Sequence, residues 1–311
     1  MLNRTLSLIS VCLLLLNIHC SQNINSLNDE APTFTLSQQG AQFSNDGKKI
    51  VFYGSYESIY AIHFVDVNGN YLGHILSNTD VSFPTWSPDN QEITVLMGGV
   101  EGHLYNVKIN GDSLKKLSDN PAGYFCNWSP DGRYIAYTKS ICIPECGIEI
   151  YDFKDNTQKF ISQNGLYPSW GRDSKRVYYY TYSFITNNLV QSGDIKGAVF
   201  RRVDVNKLNE DSLFYVKSSD NGLFVQSCAI STDENEILFA ASSGSSEQMN
   251  IWKITLKNGD IIQLTYDGGT YPSYNPTNDK IVYTNSNINE GGLWIMNSDG
   301  SNKQRLTKFQ R

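Results

Sequence analysis

The sequence has little charge and little histidine. Only 18% of its 311 residues are Asp, Glu, Lys or Arg, and 25 basic against 31 acidic residues give a formal net charge of −6. The chain has four histidines and no block of Lys and Arg. Because binding to nucleic-acid phosphates needs clustered basic side chains, nucleic acid is excluded as the main partner. Aromatic residues reach 12%, which indicates a folded chain with a sizeable core rather than a disordered one.

Sequence signatures of catalysis are also missing. The chain has no Gly-x-Ser-x-Gly nucleophile motif and no His-Glu-x-x-His pattern. Beyond the first twenty residues the histidines are His63, His74 and His103, and we interpret each as an ordinary strand or loop residue. We therefore expect no catalytic residue, no metal ion and no cofactor.

Long apolar runs are absent except near the N-terminus. Residues 1–4 are positively charged and residues 6–18 (LSLISVCLLLLNI) are apolar but short for a membrane span. This pattern predicts an export signal over residues 1–20, followed by a linker over residues 21–32. Cys20 stands where a bacterial lipoprotein carries its acylated cysteine. The alternatives are a periplasmic or outer-membrane lipoprotein attached through Cys20, a soluble exported protein, and an uncleaved anchor.

The sequence does contain an internal repeat. Six segments share a bulky anchor residue, a polar turn such as Ser-Pro-Asp-Gly at residues 129–132, and a following apolar strand. Successive anchors are separated by 43, 42, 42, 60 and 44 residues. The anchors are Phe43, Trp86, Trp128, Trp170, Ile230 and Tyr274.

Each repeat predicts four short antiparallel strands. The third strands are expected at residues 59–65, 104–109, 148–153, 200–205, 251–256 and 293–297, and the fourth often finishes on Leu-Ser or Leu-Thr. Six units of about 42 residues with four strands each are typical of a β-propeller. We predict an all-β, six-bladed propeller over residues 33–311. Its blades lie near residues 41–77, 84–118, 126–162, 168–217, 228–265 and 272–307, with the anchors packed between them.

The repeats resemble those of the TolB-type six-bladed propellers, a WD40-like family. The best matches to the family pattern are residues 86–89 (Trp-Ser-Pro-Asp), 128–132 (Trp-Ser-Pro-Asp-Gly), 251–265 and 293–307, and the resemblance extends over residues 41–308. The turns at residues 171–174, 231–234 and 275–278 depart from it. The resemblance implies an interaction scaffold in the cell envelope. We see no counterpart of the α/β domain that precedes the propeller in TolB.

Ring closure has two alternatives. Residues 33–37 (TFTLS) resemble a fourth strand and could add to the edge of the last unit. However, the last unit already carries Leu306-Thr307 after a fourth strand of its own. Otherwise the ring closes by side-chain packing alone.

Two recurring sets of residues bear on metal binding. Turn aspartates recur in five units and are explained by turn chemistry: Asp46, Asp89, Asp131, Asp173 and Asp233. The residues directly before the anchors are small or uncharged, which makes them poor ligands for a divalent cation: Gln42, Thr85, Asn127, Ser169, Ala229 and Ser273.

The cysteines predict a local disulfide. Cys142 and Cys146 lie in one loop (Ile-Cys-Ile-Pro-Glu-Cys-Gly), and we expect a bond between them. Pairing of Cys126 with either one and a zinc site are the alternatives. Cys126 and Cys228 should lie two blades apart, too far for a disulfide.

The predicted binding surface is the face that carries the variable loops. Phe83, Phe125, Tyr167 and Tyr271 occupy equivalent positions near the rim of the channel. They either pack under the loops or form a partly exposed collar for a peptide or a glycan.

We therefore expect a non-enzymatic, monomeric envelope protein that binds a protein partner through its loop face. The alternative is a propeller that binds or cleaves polysaccharide with the help of a metal. An envelope sensor or matrix component is a third hypothesis, which the sequence does not separate from the first.

Overall fold

Residues 39–56, 59–99, 102–117, 122–139, 147–184, 195–217, 223–243, 248–285, 287 and 291–307 are described by a computed structural model. This part of the chain is all-β and forms six sheets of four antiparallel strands, arranged as a propeller ring. The predicted fold class is confirmed.

In each sheet the four strands are consecutive in the chain and lie in sequence order. The strands of blade 1 are β1 (Gln39–Phe43), β2 (Lys49–Tyr56), β3 (Ile59–Asp66) and β4 (Tyr71–Ile75). Those of blade 2 are β5 (Val81–Trp86), β6 (Glu92–Met97), β7 (His103–Lys108) and β8 (Lys115–Lys116). Those of blade 3 are β9 (Ala122–Trp128), β10 (Tyr134–Lys139), β11 (Gly147–Asp152) and β12 (Thr157–Gln163).

The second half of the ring contains the longest strands. The strands of blade 4 are β13 (Leu166–Trp170), β14 (Arg176–Phe184), β15 (Ile195–Asp204) and β16 (Glu210–Lys217). Those of blade 5 are β17 (Leu223–Ile230), β18 (Glu236–Ser243), β19 (Asn250–Thr255) and β20 (Asp260–Gln263). Those of blade 6 are β21 (Thr270–Tyr274), β22 (Lys280–Asn285), β23 (Gly292–Asn297) and β24 (Gln304–Arg305).

The anchors pack between neighbouring blades, as their periodic spacing predicts. Trp86 lies 5.6 Å from Phe64 of blade 1, measured between ring centroids, and Trp170 stacks on Tyr134 of blade 3 at 5.7 Å. The indole N–H of Trp170 donates to the carbonyl of Asn127, also on blade 3, at 2.9 Å. The indole N–H of Trp86 likewise donates to the carbonyl of Gln42 on blade 1, at 3.3 Å. Each of these indoles therefore joins its own blade to the preceding one through apolar packing and a hydrogen bond.

The first and last blades meet through side-chain packing. Phe43 and Phe52 of blade 1 share a buried cluster with Val282, Leu293 and Ile295 of blade 6. In the described residues, the sheet of blade 6 takes all four of its strands from its own repeat. Residues 33–37 lie outside the described ranges, so their pairing stays a prediction.

One face of the ring, here called the turn face, carries the turns between first and second strands. The fourth residue after each anchor has a left-handed φ between +56° and +73°. These residues are Gly47, Asn90, Gly132, Ser174, Glu234 and Asn278. A left-handed residue at the end of a tight turn restores strand pairing, and glycine or asparagine suits it best.

Neighbouring turns bind each other on this face. The Asn45 N–H donates to the Asn90 side chain of the next blade at 2.7 Å, and the Thr232 N–H donates to that of Asn278 at 3.0 Å. Proline has no N–H to donate. The turns with Pro88 and Pro276 are each followed, one blade on, by glycine at the left-handed position. Pro130 is instead followed by Ser174, whose hydroxyl accepts from the Asp131 N–H at 3.0 Å. Two of the six contacts between described turns therefore pair a proline with a glycine, and the other four pair a backbone N–H with a side-chain acceptor.

Candidate functional site

The aromatic collar, defined as Phe83, Phe125, Tyr167 and Tyr271, comes together at the centre of the ring. The ring centroids of Phe125 lie 4.1 Å from Phe83, 3.5 Å from Tyr167 and 5.7 Å from Tyr271. Phe125 belongs to blade 3 and Tyr271 to blade 6, on opposite sides of the ring. Their contact shows that the side chains fill the centre instead of lining an open channel. Phe83 and Tyr271 are buried, whereas Phe125 and Tyr167 are half-buried.

A local distortion of each first strand aims these rings inward. All four residues have a left-handed φ, between +49° and +56°, and each lies at a register shift between its first and second strand. A β-bulge re-aims a side chain, and a left-handed conformation is rare for a bulky residue. Gly40 holds the same bulge position in blade 1, with φ +63°.

Blade 5 places a glutamine where blades 2, 3, 4 and 6 carry aromatic rings at the bulge. Its register shift lies between Val225 and Ser227, so that Gln226 is the bulged residue. The Gln226 amide donates to the Tyr271 hydroxyl at 3.0 Å. Counting back from the anchor did not find this residue, because the bulge in blade 5 lies one position earlier. The one indication of this displaced bulge in the sequence is that Ser227, at the position equivalent to the collar residues, is not aromatic.

From the collar, an aromatic ladder of Tyr180, Tyr182 and Phe224 leads along blades 4 and 5 towards the loop face, which is opposite the turn face. The centroid distances along it are 5.6 Å from Tyr167 to Tyr180, 5.4 Å to Tyr182 and 5.8 Å to Phe224. The hydroxyls of Tyr180 and Tyr182 both donate to the Val225 carbonyl. Tyr180 is buried, while Tyr182 and Phe224 are partly exposed near the loop-face ends of β14 and β17. The sequence reasoning did not single out these three residues.

The collar and the ladder carry no charge. Burial raises the pKa of Tyr167 and of Tyr180 well above the ordinary tyrosine range. Both phenols are therefore neutral hydrogen-bonding groups at physiological pH. The collar and the ladder therefore present apolar area and neutral hydrogen-bonding groups.

Comparison with known proteins finds relatives only among solved structures. No known family model matches the chain, and no curated protein matches it by sequence. A putative TolB from Agrobacterium tumefaciens superposes with a TM-score of 0.59 at 20% identity, covering 78% of this chain and 84% of that one. TolB from Acinetobacter baumannii gives a TM-score of 0.62 at 17% identity, covering 83% of this chain and 63% of that one.

The chain has the fold of a TolB-type six-bladed propeller. An oligogalacturonate lyase in complex with manganese is also similar, with a TM-score of 0.55 at 14% identity, covering 88% of this chain and 76% of that one. At these identities the similarity concerns the fold alone.

The described residues of this TolB-type propeller do not fit a manganese site. Manganese prefers oxygen ligands, above all carboxylates. No group of three or more His, Cys, Asp or Glu that could hold a metal occurs in the described ranges. The residues directly before the anchors offer hydroxyl, amide and methyl groups instead: Gln42, Thr85, Asn127, Ser169, Ala229 and Ser273.

The three histidines within the described ranges, His63, His74 and His103, lie on blades 1 and 2. His63 is fully buried in β3, where burial lowers its pKa to about 4, so it is neutral at physiological pH. Its Nε2 lies 3.1 Å from the Gly54 carbonyl and therefore donates to it, and its Nδ1 lies 3.1 Å from the Tyr71 hydroxyl. The Tyr71 hydroxyl also contacts Nδ1 of His74 at 2.9 Å. His103 lies at the start of β7.

The turn aspartates are engaged in their own turns. In Asp89 the carboxylate accepts from the Ser87 hydroxyl at 2.6 Å and from the Gln91 N–H at 3.0 Å, and these bonds lower its pKa. Asp46 and Asp233 accept from the corresponding serines at the same distance. Turn chemistry thus accounts for the recurrence of these carboxylates.

Cys126 and Cys228 are free thiols beside the collar. Cys126 donates to the carbonyl of Phe83 at 3.4 Å, and Cys228 donates to that of Tyr167 at 3.3 Å. Burial raises the pKa of Cys126 to about 12 and that of Cys228 further, so neither provides a thiolate. Cys142 and Cys146 lie outside the described residues, as does Cys20, and their disulfide and lipid roles stay predictions.

No helix in the described part of the chain is long and apolar enough to cross a membrane.

Proposed function

We propose that this protein is a non-enzymatic propeller of the bacterial cell envelope that binds a protein partner through its loop face. The observation that carries the proposal is the unbroken row of contacting aromatic rings from the collar along the ladder, four of which reach the surface. Phe125, Tyr167, Tyr182 and Phe224 are each partly exposed along this path. Partly exposed aromatic side chains combine a large contact area with polar groups, and they dominate the energetics of many protein interfaces.

The geometry favours binding on the loop face over passage through the ring. Because the collar fills the centre, a partner meets a packed floor there rather than an open channel. The strands of blade 4 reach nine and ten residues in β14 and β15 and place Tyr182 beside that floor. A partner that contacts both the floor and blade 4 therefore buries more aromatic surface than one resting on either alone.

The envelope location rests on the predicted export signal over residues 1–20. Attachment to the outer membrane through Cys20 is part of the same proposal, with a soluble periplasmic form as its alternative. The resemblance of the repeats to TolB-type propellers, which serve as interaction scaffolds, supports a monomeric scaffold with a protein partner. The polysaccharide-cleaving alternative has no supporting set of convergent His, Asp or Glu side chains in the described ranges.

The test is capture of a partner from detergent-solubilised envelope by the exported chain, compared with matched variants. Phe125→Gly removes one collar ring and keeps a residue suited to left-handed φ, as Gly40 does in blade 1. Phe224→Ala removes the end of the ladder. Tyr215→Ala, on the outer strand β16, is the control because Tyr215 is exposed away from the ladder.

We expect a protein captured by the wild type and by Tyr215→Ala to be lost with Phe125→Gly and with Phe224→Ala. Circular dichroism confirms that each variant is folded. Calorimetry with the purified partner should then show a weakening of about tenfold or more for each ladder or collar variant. Equal capture by wild type and Phe224→Ala, both folded, contradicts the proposal.

A further inference from the structure

A chain of hydrogen bonds connects the surface of blade 1 with a buried histidine. His63 of β3 is fully buried, whereas His74 of the outer strand β4 is exposed. The hydroxyl of Tyr71 lies between them, 3.1 Å from Nδ1 of His63 and 2.9 Å from Nδ1 of His74. We call these three residues the histidine chain. It leads from solvent into the interior of the blade.

The proton positions in the histidine chain follow from its inner end. Nε2 of His63 lies 3.1 Å from the Gly54 carbonyl, which can only accept, so Nε2 carries a proton. In the neutral ring Nδ1 is then an acceptor, and the Tyr71 hydroxyl donates to it. Because Tyr71 has a single O–H, its contact with His74 is a bond from Nδ1–H of that ring to the Tyr71 oxygen. Every bond in the histidine chain therefore points inward.

The histidine chain accommodates a positive charge at its outer end only. A proton added to His74 goes to Nε2 and leaves the Nδ1–H bond to Tyr71 in place. A proton added to His63 goes to Nδ1, which then no longer accepts from the Tyr71 hydroxyl. Burial and, to a smaller extent, the charge of His74 oppose this protonation, and together they lower the pKa of His63 to about 4.

His63 is surrounded by groups from β2 and β4. From β2, the ring of Phe52 stacks on it at a centroid distance of 5.4 Å, and the Gly54 carbonyl accepts its Nε2–H. From β4, Tyr71 and His74 are the titratable groups in contact with it, and a charge on His74 acts against a charge on His63. Protonation of His63 therefore places a second positive charge in this part of the blade.

Phe52 connects the histidine chain to the closure of the ring. Its side chain is buried in the cluster that joins blades 1 and 6. Blade 6 contributes apolar residues to this cluster: Val282, Leu293 and Ile295. The charged side chain of Arg305 on β24 donates instead to the carbonyls of Gly291 and Thr307. Because a close-packed interior transmits small displacements, a shift of the His63 ring changes the packing of Phe52 at this junction.

We propose that the histidine chain is an acid-sensitive latch on ring closure. Protonation of His63 breaks its bond with Tyr71 and charges a ring that is packed in the core, so that blade 1 packs less tightly against blade 6. Protonation of His74 alone leaves the latch closed. The use of the latch rests on the envelope location proposed above, where a protein meets the pH of its surroundings. The latch itself is independent of the proposed protein partner, so the two tests fail separately.

The latch predicts a loss of stability between about pH 6.5 and pH 4. In this interval the unfolded chain binds a proton at His63 and the folded chain does not, so stability falls as the pH falls and returns as it rises. From pH 7 to pH 5, the equilibrium constant for unfolding should rise about twentyfold through this one residue.

The test is urea denaturation of the full exported chain and three variants at pH 7 and pH 5. His63→Gln replaces the imidazole by an amide that still offers a donor and an acceptor but does not titrate. His74→Gln removes the charge at the outer end. His103→Gln, on blade 2, is the matched control for loss of a histidine elsewhere. NMR titration of the imidazole signals and amide hydrogen exchange of the wild type complete the comparison.

We expect the rise in the unfolding constant to be about twentyfold smaller in His63→Gln than in the wild type and in His103→Gln. In the wild type, the His63 signal should titrate near pH 4, and in His74→Gln it should titrate at a higher pH because the opposing charge is gone. Exchange protection should fall in blades 1 and 6 at acid pH before it falls in blades 3 and 4.

An equal pH dependence in the wild type and in folded His63→Gln overturns the proposal. If His63→Gln does not fold, the wild type decides. A His63 signal that titrates near pH 6.5, or protection that is lost evenly around the ring, overturns the latch equally. An unchanged His63 titration in folded His74→Gln contradicts the coupling within the histidine chain and with it the proposal.

Discussion

The contact between Asn45 of blade 1 and Asn90 of blade 2 allows a direct test of how neighbouring blades hold each other. The ring contains two solutions at this contact: a backbone donor with a side-chain acceptor, or a proline followed by a glycine. We predict that Asn45→Pro and Asn90→Gly each destabilise the protein and that the double variant costs less than the sum. The double variant reproduces the arrangement of Pro88 with Gly132, where a Cβ built on the glycine would lie 3.7 Å from the proline ring.

The expected magnitude follows from the hydrogen bonds. Asn90→Gly removes the acceptor of the Asn45 N–H bond at 2.7 Å, a net loss of about 1 kcal/mol. Asn45→Pro removes the same bond and also the Nδ2 bond to the Ser87 carbonyl at 2.9 Å, so about 2 kcal/mol is lost. Proline recovers about 0.5 kcal/mol by restricting the unfolded chain. The bond from the Asn45 N–H to the Asn90 side chain contributes to the loss in each single variant, but the double variant loses it only once. The double variant should therefore be about 1 kcal/mol more stable than the sum of the two single effects predicts.

Urea denaturation of the four proteins measures this coupling. The control pair is Thr232→Pro with Asn90→Gly, which lie on blades 5 and 2 and share no contact, so their effects should add to within about 0.5 kcal/mol. Coupling of the same size in the control pair, or none in the adjacent pair, would refute the idea that the turns are matched between neighbouring blades.

Two further predictions concern ring closure and acid stability. Phe52→Ala, at the fully buried junction of blades 1 and 6, should lower the free energy of unfolding by about 3–5 kcal/mol in urea titrations, whereas Leu72→Ala, 50% exposed on the same blade, should change it by no more than about 0.5 kcal/mol. A small effect of Phe52→Ala would contradict closure by side-chain packing. The pKa of Asp89 is lowered in the folded protein, so its ionised carboxylate stabilises the fold at pH values above about 3.9, which is the pKa of an aspartate in the unfolded chain. This stabilisation is lost as the pH falls through the lower pKa of the folded state. Asp89→Asn should therefore flatten the pH dependence of the urea midpoint in that range, and an unchanged slope would contradict this role.

The sequence predicted the architecture well because a propeller is encoded by its period. The described third strands begin within one residue of their predicted positions except in blade 4, where β15 begins at Ile195 rather than at residue 200. That difference arises in the longest repeat, where the extra residues lengthen the hairpin of β14 and β15. Apolar and polar residues do not alternate clearly before residue 200, so the sequence pattern did not predict that the pairing of β14 with β15 extends this far.

The centre of the ring was harder to predict. Equal spacing identified Phe83, Phe125, Tyr167 and Tyr271 as equivalent residues, but it does not indicate that the rings of Phe125 and Tyr271 touch. Their contact requires a left-handed backbone, which bulky residues rarely adopt, so local propensity argues against the observed conformation. Gln226 stayed hidden because its bulge is displaced by one residue, a feature of pairing register rather than of spacing. The pairing of turns between neighbouring blades can be inferred from the sequence only by comparing the second residue after one anchor with the fourth residue after the next anchor.

The centre of the ring is filled by aromatic side chains, but not every blade supplies one from its bulge. Blade 1 has Gly40 at the bulge, yet its second strand supplies Tyr53, whose ring lies 5.2 Å from Phe83. A Cβ at Gly40 would lie 3.1 Å from the ring of Tyr53, so the glycine and the tyrosine occupy space that one bulged aromatic takes elsewhere. Such an exchange conserves volume, which a close-packed interior requires. The centre therefore acts as a rigid floor under the loop face. For the protein partner that we propose, selectivity then comes from the side chains around this floor, above all from Tyr182 and Phe224.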